Sequence, residues 1–265
     1  MKIKIINPNT TQSMTDKIGQ CAKAVAGPGT IIVAVNPAMG PVSIESHYDE
    51  ALAVPGVLAE IAAGEQDDVD GYVIACFGDP GLKAARELAK GPVVGIAEAA
   101  MHLASLVGSR FTIVTTLERT AGQAWHLAEA YGMARHCARV RACELPVLEL
   151  EKPGSDARER IISECRLALA EDGADVIVLG CAGMTDLCKA ISTEIGVPVI
   201  DGVAAATGLV ETLVKLRLQT SKRNELAHPL PKLVQGLLEQ FTLRSPAVES
   251  NQRLTPGESH LTSGL

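Results

Sequence analysis

The sequence predicts an α/β protein of two pseudo-symmetric lobes, each a flavodoxin-like parallel sheet with helices on both faces. Short β-branched runs alternate with Ala-rich amphipathic stretches, several of the runs are apolar throughout, and part of the first half recurs in the second. Alternating strands and helices are typical of parallel sheets, and strands that are covered on both faces read as continuous apolar runs.

Eight short runs rich in Ile and Val are predicted to be strands. They are Ile3–Ile6, Ile31–Val35, Gly71–Cys76, Val93–Ile96, Phe111–Thr115, Val140–Cys143, Val176–Gly180 and Val197–Ile200. The stretches between them carry apolar residues at helical spacing. The clearest predicted helices are Thr11–Val25, Asp49–Ala63, Leu82–Ala89 and Ala157–Ala170. A last long helix, Val203–Leu218, is expected to return and pack on the first half.

The internal repeat relates DGYVIACFGDPGLKAA at 70–85 to DVIVLGCAGMTDLCKA at 175–190, and Lys2–Thr10 resembles Arg110–Glu118 at nearly the same separation. Matches in the same order indicate a duplicated half. We therefore expect a first lobe of residues 1–97 plus about 203–240, a second lobe of residues 98–202, and a site in the cleft between them. A short helix is predicted at Leu233–Phe241, and the Ser- and Pro-containing residues 245–265 are predicted to be a disordered tail.

Charge and hydropathy exclude several classes of protein. The 265 residues contain 24 Lys and Arg against 31 Asp and Glu, for a formal net charge of −7. Nucleic-acid surfaces need clustered positive charge, so we expect no nucleic-acid partner. No apolar run approaches the roughly 18 residues that span a bilayer, and the N-terminus lacks a secretory pattern. The sequence thus predicts a cytoplasmic protein without a membrane partner.

No cofactor or metal is expected. The seven cysteines come without a secretory signal, which disfavours a disulfide framework, and none has the spacing of a common zinc site. The chain also lacks a G-x-G-x-x-G after a strand and a G-x-x-x-x-G-K-[ST] motif, which bind dinucleotides and nucleotide phosphates.

Cys76 and Cys181 hold the same position in the two copies of the repeat. Each follows a predicted strand, at the edge where α/β sheets bind ligands, and each has a glycine two residues later. A lone cysteine at a strand end is usually a small buried hydrophobe, but the repetition favours a functional pair. A helix start beyond each, with Thr185 as one cap, would stabilise a thiolate. The five cysteines without a repeat partner are expected to be structural: Cys21, Cys137, Cys143, Cys165 and Cys188.

Two opposed thiols suit one reaction in particular. A carbon acid held between them can lose a proton to one sulfur and regain one from the other on the opposite face. The result is racemisation or epimerisation without a cofactor. With each sulfur about 3–3.5 Å from the carbon, the sulfurs should lie roughly 7 Å apart. One must be a thiolate and the other a thiol, so activity should be bell-shaped in pH.

Several segments resemble those of a known family. They are INPNT, PVSIESHYDE, VIACFGDPGL, FTIVTT, VIVLGCAGM and VPVIDG. These segments resemble those of the hydantoin and allantoin racemases in the Asp/Glu racemase superfamily, and the resemblance runs from residue 1 to about residue 228. The resemblance implies a two-lobed, cofactor-independent isomerase that forms a homo-oligomer. It places Cys76 and Cys181 on the two catalytic cysteines of the family.

The resemblance also bears on the substrate. Superfamily members that act on acidic amino acids carry Thr-Asn or Thr-Glu beside the cysteines, where this chain has FGD (77–79) and AGM (182–184). This implies a small neutral cyclic ureide, and the form CFGDPG favours allantoin, a substrate of purine catabolism. The residues expected to contact it are Asn9, Ser43, Ile44, Phe77, Gly78, Thr115, Thr116, Ala182 and Gly183.

Alternatives remain open from the sequence. The alternative substrate is a 5-alkyl or 5-aryl hydantoin. The alternative class of protein is a non-catalytic two-lobed binding protein. A cysteine hydrolase would need a histidine base near one cysteine, and no histidine lies at an obvious strand end. Asn9 also fits a simple turn, and Thr115 and Thr116 also fit a helix cap. Glu45 and His47 lie in a loop near the predicted cleft, where His47 is expected to be solvated.

Overall fold

Parallel strands form the centre of the computed structural model, which describes residues 1–244. The chain divides into two compact units, with the boundary between Ala227 and His228. The predicted disordered tail, residues 245–265, lies outside the described residues. The sequence-based limits of the two lobes stay a prediction.

The first half of the larger unit alternates strands and helices. Its elements are β1 (Lys2–Ile6), α1 (Gln12–Val25), β2 (Ile31–Val35), α2 (His47–Gln66), β3 (Gly71–Ile74), α3 (Leu82–Leu88), β4 (Val93–Gly95) and α4 (Ile96–Val107). The four strands are parallel in the order β2-β1-β3-β4. Ile6 of β1 lies beside Val35 and Ile74, so the carboxyl ends of these strands meet at one edge of the sheet.

The second half repeats this arrangement. Its elements are β5 (Phe111–Thr115), α5 (Glu118–Ala130), β6 (Cys137–Ala142), α6 (Ala157–Glu171), β7 (Val176–Leu179), α7 (Cys188–Ile195), β8 (Val199–Ile200) and α8 (Gly202–Lys215). The strand order β6-β5-β7-β8 is that of the first sheet. Two short 3₁₀ helices, Val147–Glu151 and Ala182–Leu187, follow β6 and β7. The predicted fold class of two parallel α/β sheets is confirmed.

Some predicted strand limits were wrong by a few residues. β3 and β7 end before Cys76 and Gly180, because the chain turns there toward the next helix. β6 begins at Cys137 rather than Val140, because a register shift beside Phe111 lets Cys137 pair. β8 has only two residues and starts after Pro198, a residue that has no N–H to donate.

Both faces of each sheet are buried, which explains the continuous apolar runs. On the first sheet, Ile3 and Ile5 pack with α1 and with Val210 of α8, while Ile6 and Ile74 face α2 and α3. On the second sheet, the strands pack against α4 and α5 on one face and α6 and α7 on the other. Helix α8 thus returns to the first sheet, so the two halves share one continuous framework.

The described part of the smaller unit, 228–244, is almost without regular structure. The predicted helix Leu233–Phe241 is instead a 3₁₀ turn at Gly236–Phe241, after Gly236 takes a φ of 71° that an α-helix does not allow. Lys232 and Leu243 form an isolated antiparallel bridge. Within residues 1–244, no helix has the length and apolar character needed to cross a membrane.

Candidate active site

A pocket lies where the carboxyl ends of strands from both sheets approach each other. Its walls are mostly apolar, and residues from each half contribute to them. The lining residues are Asn9, Met14, Ile44, Glu50, Ala75, Cys76, Phe77, Gly78, Thr115, Thr116, Thr120, Gln123, Ala124, Val147, Gly180, Cys181 and Ala182.

The structure brings most of the predicted site residues together. Cys76 and Cys181 both line the pocket, and so do all but two of the expected substrate contacts. The exceptions are Ser43 and Gly183, which lie outside the lining. Gly183 instead donates its backbone N–H to Cys181 Sγ, at 3.4 Å.

The two sulfurs have matching backbone partners. The Gly183 N–H donates to Cys181 Sγ at 3.4 Å, and the backbone amide of Gly78, two residues after Cys76, acts on the Cys76 thiol from the equivalent position. A sulfur that accepts an N–H is stabilised as a thiolate, so each amide lowers the pKa of its thiol. The duplicated Cys-x-Gly spacing therefore has a local structural role at both strand ends.

The expected helix starts beside the sulfurs are only partly present. Cys181 precedes a 3₁₀ helix, whereas α3 begins six residues after Cys76. Thr185 caps no α-helix; its hydroxyl donates to Cys21 Sγ at 2.8 Å, because it lies inside the 3₁₀ helix. Burial consequently dominates, and it raises the pKa of both candidate thiols above the ordinary value.

The two thiols nevertheless differ. Burial raises the pKa of Cys181 to about 11, while the Gly183 amide and the Lys17 ammonium lower it; the carboxylates of Glu151 and Glu45 act upward. At Cys76 burial is again the largest cause, and the Glu50 carboxylate raises that pKa further. Carboxylates act on both sulfurs, but the Lys17 cation acts on Cys181, so Cys181 is the more acidic thiol.

Lys17 lies on α1 but reaches the second half of the chain. Its Nζ is 2.9 Å from Glu151 Oε1, and it donates to the carbonyl oxygens of Leu150 (3.4 Å) and Gly183 (3.5 Å). It therefore ties the loop that carries Cys181 to the first half. A second tie is made by Glu45, whose Oε1 accepts the N–H of Val147 at 2.6 Å.

Glu50 approaches the backbone of Gly78 so closely that a side chain at position 78 would displace the Glu50 carboxylate from its present position. A Cβ at position 78 would lie 1.7 Å from Glu50 Oε1. Burial raises the pKa of Glu50 to about 7, and the nearby Gln123 amide lowers it. His47 is largely exposed, as expected, with Nδ1 3.8 Å from Glu50 Oε2.

The polar residues at the first strand of each sheet mainly organise the pocket wall. Asn9 forms the turn considered for it: its Oδ1 accepts the N–H of Thr11 at 2.9 Å, and its side chain also lines the pocket. The alternative role of Thr115 and Thr116 as helix caps is wrong, because Leu117 holds the cap position of α5. Thr115 Oγ1 instead donates to the carbonyl oxygen of Gly180 at 3.3 Å.

Asp79 fixes the loop that follows Cys76. It is buried, adopts a φ of 45°, and accepts hydrogen bonds from the N–H groups of Ala97 (3.1 Å) and Glu98 (3.0 Å) at the start of α4. Tyr131 donates a third hydrogen bond, at 2.7 Å. The Asp79 side chain thus holds the Cys76 loop against the N-terminus of α4.

Sequence reasoning missed Glu50 and Gln123. Glu50 lies within PVSIESHYDE, a segment noted only for its resemblance, and it reaches the pocket because α2 begins at His47. Thr120, Gln123 and Ala124 share one face of α5 at i, i+3 and i+4, so helical spacing counted from the strand end is a signal for Gln123. The lining includes no Lys, Arg or His, and residues 1–244 contain no cluster suited to a metal ion.

Comparison with known proteins extends these observations. The model of the Asp/Glu/hydantoin racemase family matches residues 3–210. A hydantoin racemase of Rhizobium meliloti is 50% identical over 236 residues, which cover 89% of this chain and 98% of that protein. A hydantoin racemase of Pseudomonas sp. (strain NS671) is 48% identical over 241 residues, 91% of this chain and 97% of that protein.

A solved structure is also similar over most of its length. The allantoin racemase from Klebsiella pneumoniae superposes with a TM-score of 0.90 and 55% sequence identity. The match covers 91% of this chain and 99% of that one.

Proposed function

Since this chain belongs to the Asp/Glu/hydantoin racemase family, we propose that it racemises a small hydantoin-type substrate, that this substrate is allantoin, and that Cys76 and Cys181 transfer the proton. Family membership removes the alternatives of a non-catalytic binding protein and a cysteine hydrolase. The observation that carries the proposal is the presence of both sulfurs, from equivalent strand ends, in one pocket.

The proposed reaction moves one proton off C5 and another onto its opposite face. The Cys181 thiolate takes the C5 proton, and the electron pair of that C–H bond is delocalised onto the C4 oxygen as an enolate. The Cys76 thiol then donates its proton to the other face, and the electron pair returns to form the new C–H bond. Cys181 ends as the thiol and Cys76 as the thiolate; the opposite enantiomer reacts in the reverse sense.

The charges around the sulfurs support this division of roles. Lys17 favours the thiolate of Cys181, whereas the Glu50 carboxylate keeps Cys76 protonated. Without substrate, Cys181 is therefore the thiol that loses its proton first as pH rises, while Cys76 keeps its proton. This is the combination of one base and one acid that two-base racemisation needs.

The pocket supports a neutral substrate. It contains the Glu50 carboxylate and no cationic side chain among the lining residues, so an amino acid such as aspartate would bring its carboxylates to a site without a positive partner. Asn9, Ile44, Phe77, Gly78, Thr115, Thr116 and Ala182 are the proposed contacts of the ring and its substituent. Ser43 stays a prediction, and Gly183 is proposed to act through Cys181.

Two lines of similarity bear on the C5 substituent. The likeness to the Klebsiella pneumoniae allantoin racemase, at 55% identity, supports allantoin. The hydantoin racemases at 48% and 50% identity support the second candidate, a 5-alkyl or 5-aryl hydantoin. A homo-oligomeric state and a cytoplasmic location stay predictions.

The test follows a single enantiomer of allantoin by circular dichroism, with reductant present and buffer alone as the control for spontaneous racemisation. The wild type should abolish the signal without a new product, and Cys76→Ser and Cys181→Ser should each remove the acceleration. In D₂O the newly formed enantiomer should carry deuterium at C5 while the remaining substrate keeps hydrogen. Unaccelerated allantoin with rapid racemisation of 5-alkyl hydantoins would overturn the substrate, and full activity in either variant would overturn the two-cysteine mechanism.

A further inference from the structure

Two buried polar atoms in the pocket lack a hydrogen-bond partner. Within residues 1–244, three buried side-chain nitrogen or oxygen atoms are in this condition: Glu50 Oε1, Gln123 Nε2 and Glu151 Oε1. Glu151 lies outside the pocket lining and has Lys17 as an ion-pair partner, whereas Glu50 and Gln123 both line the pocket. Buried polar groups are nearly always bonded in native proteins, so this pair indicates a polar ligand that supplies the missing bonds.

Three other polar side chains of the pocket, those of Asn9, Thr115 and Thr120, already have partners within the protein. The Asn9 amide bonds Asn7, Thr11 and the sulfur of Met14. Thr115 donates to Gly180, and the Thr120 hydroxyl donates to the carbonyl oxygen of Leu117. These groups shape the wall, while Glu50 and Gln123 retain hydrogen-bonding capacity.

The positions of the pair define what can bind there. Glu50 comes from α2 in the first half and Gln123 from α5 in the second. The amide is close enough to stabilise the Glu50 carboxylate, although no hydrogen bond of normal geometry joins them. An acceptor oxygen and an N–H donor thus lie side by side, next to Gly78 and Cys76.

We propose that Glu50 Oε1 and Gln123 Nε2 form a subsite for the carbamoyl end of the substituent at C5 of the substrate. A carbamoyl group presents a carbonyl oxygen and an N–H on one edge. The carbonyl accepts from Gln123 Nε2, and the N–H donates to Glu50 Oε1. The inference rests on the proposed function, because the ureido group of allantoin ends in such a carbamoyl group.

This subsite makes Glu50 and Gln123 specificity-determining residues. An alkyl substituent of similar length fills the same space but leaves both buried groups unpaired, and sites with unpaired buried polar groups discriminate strongly against such analogues. We expect the wild type to favour allantoin over 5-propylhydantoin by at least about 10-fold in kcat/KM. This comparison requires no variant.

Glu50 also acts on Cys76, so the experiment must separate two effects. A change transmitted through the Cys76 thiol alters proton transfer for every substrate, whereas loss of the subsite alters only substrates that carry a carbamoyl group. Racemisation of allantoin and of 5-propylhydantoin is therefore measured side by side. The variants are Glu50→Gln and Gln123→Leu, with Glu65→Gln as the matched control because Glu65 lies on the same helix and bonds Tyr72 instead.

Gln123→Leu should lower kcat/KM for allantoin by about 10- to 100-fold, chiefly through KM, and change kcat/KM for 5-propylhydantoin less than about 3-fold. Glu50→Gln also acts through Cys76, so it should change both substrates, but it should lower kcat/KM for allantoin by about 10-fold or more beyond its effect on 5-propylhydantoin. Glu65→Gln should change neither. Parallel loss on both substrates, no loss on either, or no preference by the wild type would overturn the subsite while leaving the allantoin racemase intact. Failure of the wild type to racemise allantoin would overturn the proposed function itself.

Discussion

The Tyr131 hydroxyl donates a hydrogen bond of 2.7 Å to the carboxylate of Asp79, joining the end of α5 to the loop that carries Cys76. Asp79 is buried and Tyr131 is half-buried, and the same carboxylate accepts hydrogen bonds from two N–H groups at the start of α4. One short acidic side chain thus connects the two halves next to the candidate active site.

Asp79 should make stability depend on pH. Burial raises its pKa to about 7 from an ordinary value of 3.8, despite the hydrogen bonds, and Glu98 acts in the same direction. A raised folded-state pKa means that the stabilising contribution is complete below about pH 4 and is lost as pH rises through about 7. As pH rises from 5 to 8, the wild type loses this contribution and Asp79→Asn does not. The free energy of unfolding of Asp79→Asn should therefore increase by about 1–3 kcal/mol relative to that of the wild type over this range.

Urea unfolding of both proteins at the two pH values measures this difference. A constant gap between them would show that Asp79 is already ionised at pH 5. Tyr131→Phe, which removes the hydroxyl, should destabilise the protein by about 1–2 kcal/mol because it leaves a buried acceptor with one bond fewer.

The rate should rise with pH on the acid side of the profile. The pKa of Cys181, about 11, lies above neutrality, so the thiolate fraction and kcat/KM both increase as pH rises from 7 toward 10. Lys17→Met removes the cation that lowers this pKa, and it should reduce kcat/KM at pH 8 by about 3- to 10-fold.

The full pH profile distinguishes this effect from simple misfolding. In Lys17→Met the rising limb should move to higher pH, with activity partly recovered at pH 10, and Lys17→Arg should restore the wild-type profile. A uniform loss at every pH would assign Lys17 a structural role only.

Gly78→Ala should damage the site far more than the fold. Its Cβ would meet Glu50 Oε1 at 1.7 Å and Cδ at 2.9 Å, so the loop or the Glu50 side chain must move. We expect kcat/KM to fall by about 100-fold or more, since small misplacements of catalytic groups are costly. Gly208→Ala is the control: it lies inside α8 with no atom within 4 Å of the new Cβ. That change should leave activity intact and add about 0.5–1 kcal/mol of stability.

Cys181 should be alkylated faster than the other six cysteines. Its pKa of about 11 is the lowest resolved among the seven, since burial holds Cys21, Cys137, Cys143, Cys165 and Cys188 at about 12 and Cys76 higher. The thiolate is the reactive form, so iodoacetamide at pH 8 should label Cys181 first and inactivate the enzyme in step. Peptide mass spectrometry over time measures the order, and initial labelling of Cys76 would reverse the proposed resting state.

The sequence predicted the features that depend on local pattern. Strand and helix alternation gave both sheets, and the repeat placed Cys76 and Cys181 at equivalent strand ends, because a duplicated segment keeps its position in the fold. The expectation that helix starts beside both sulfurs would stabilise thiolates was met only in part, because a 3₁₀ helix follows Cys181 but α3 begins six residues after Cys76. It depended on how deeply each sulfur is buried and on where α3 begins, and both are set by packing.

The roles of Glu50 and Gln123 could not be predicted from the sequence, because they depend on contacts between distant segments. They lie on helices far apart in the chain, and no local pattern in either segment predicts that the two helices meet at one pocket. The ties of Lys17 and Glu45 to the second half are equally non-local. Such contacts become visible only when the two halves are placed together.

The unequal neighbours of the two sulfurs have a thermodynamic consequence. Enantiomers have identical free energies in water, so the equilibrium constant is one and kcat/KM must be the same in both directions. Lys17 and Glu50 therefore cannot bias the final mixture, however strongly they distinguish Cys181 from Cys76. They can only change KM and kcat together. The enantiomer whose C5 proton faces Cys181 should have the lower KM, and its mirror image should have a higher KM and a kcat that is higher by the same factor.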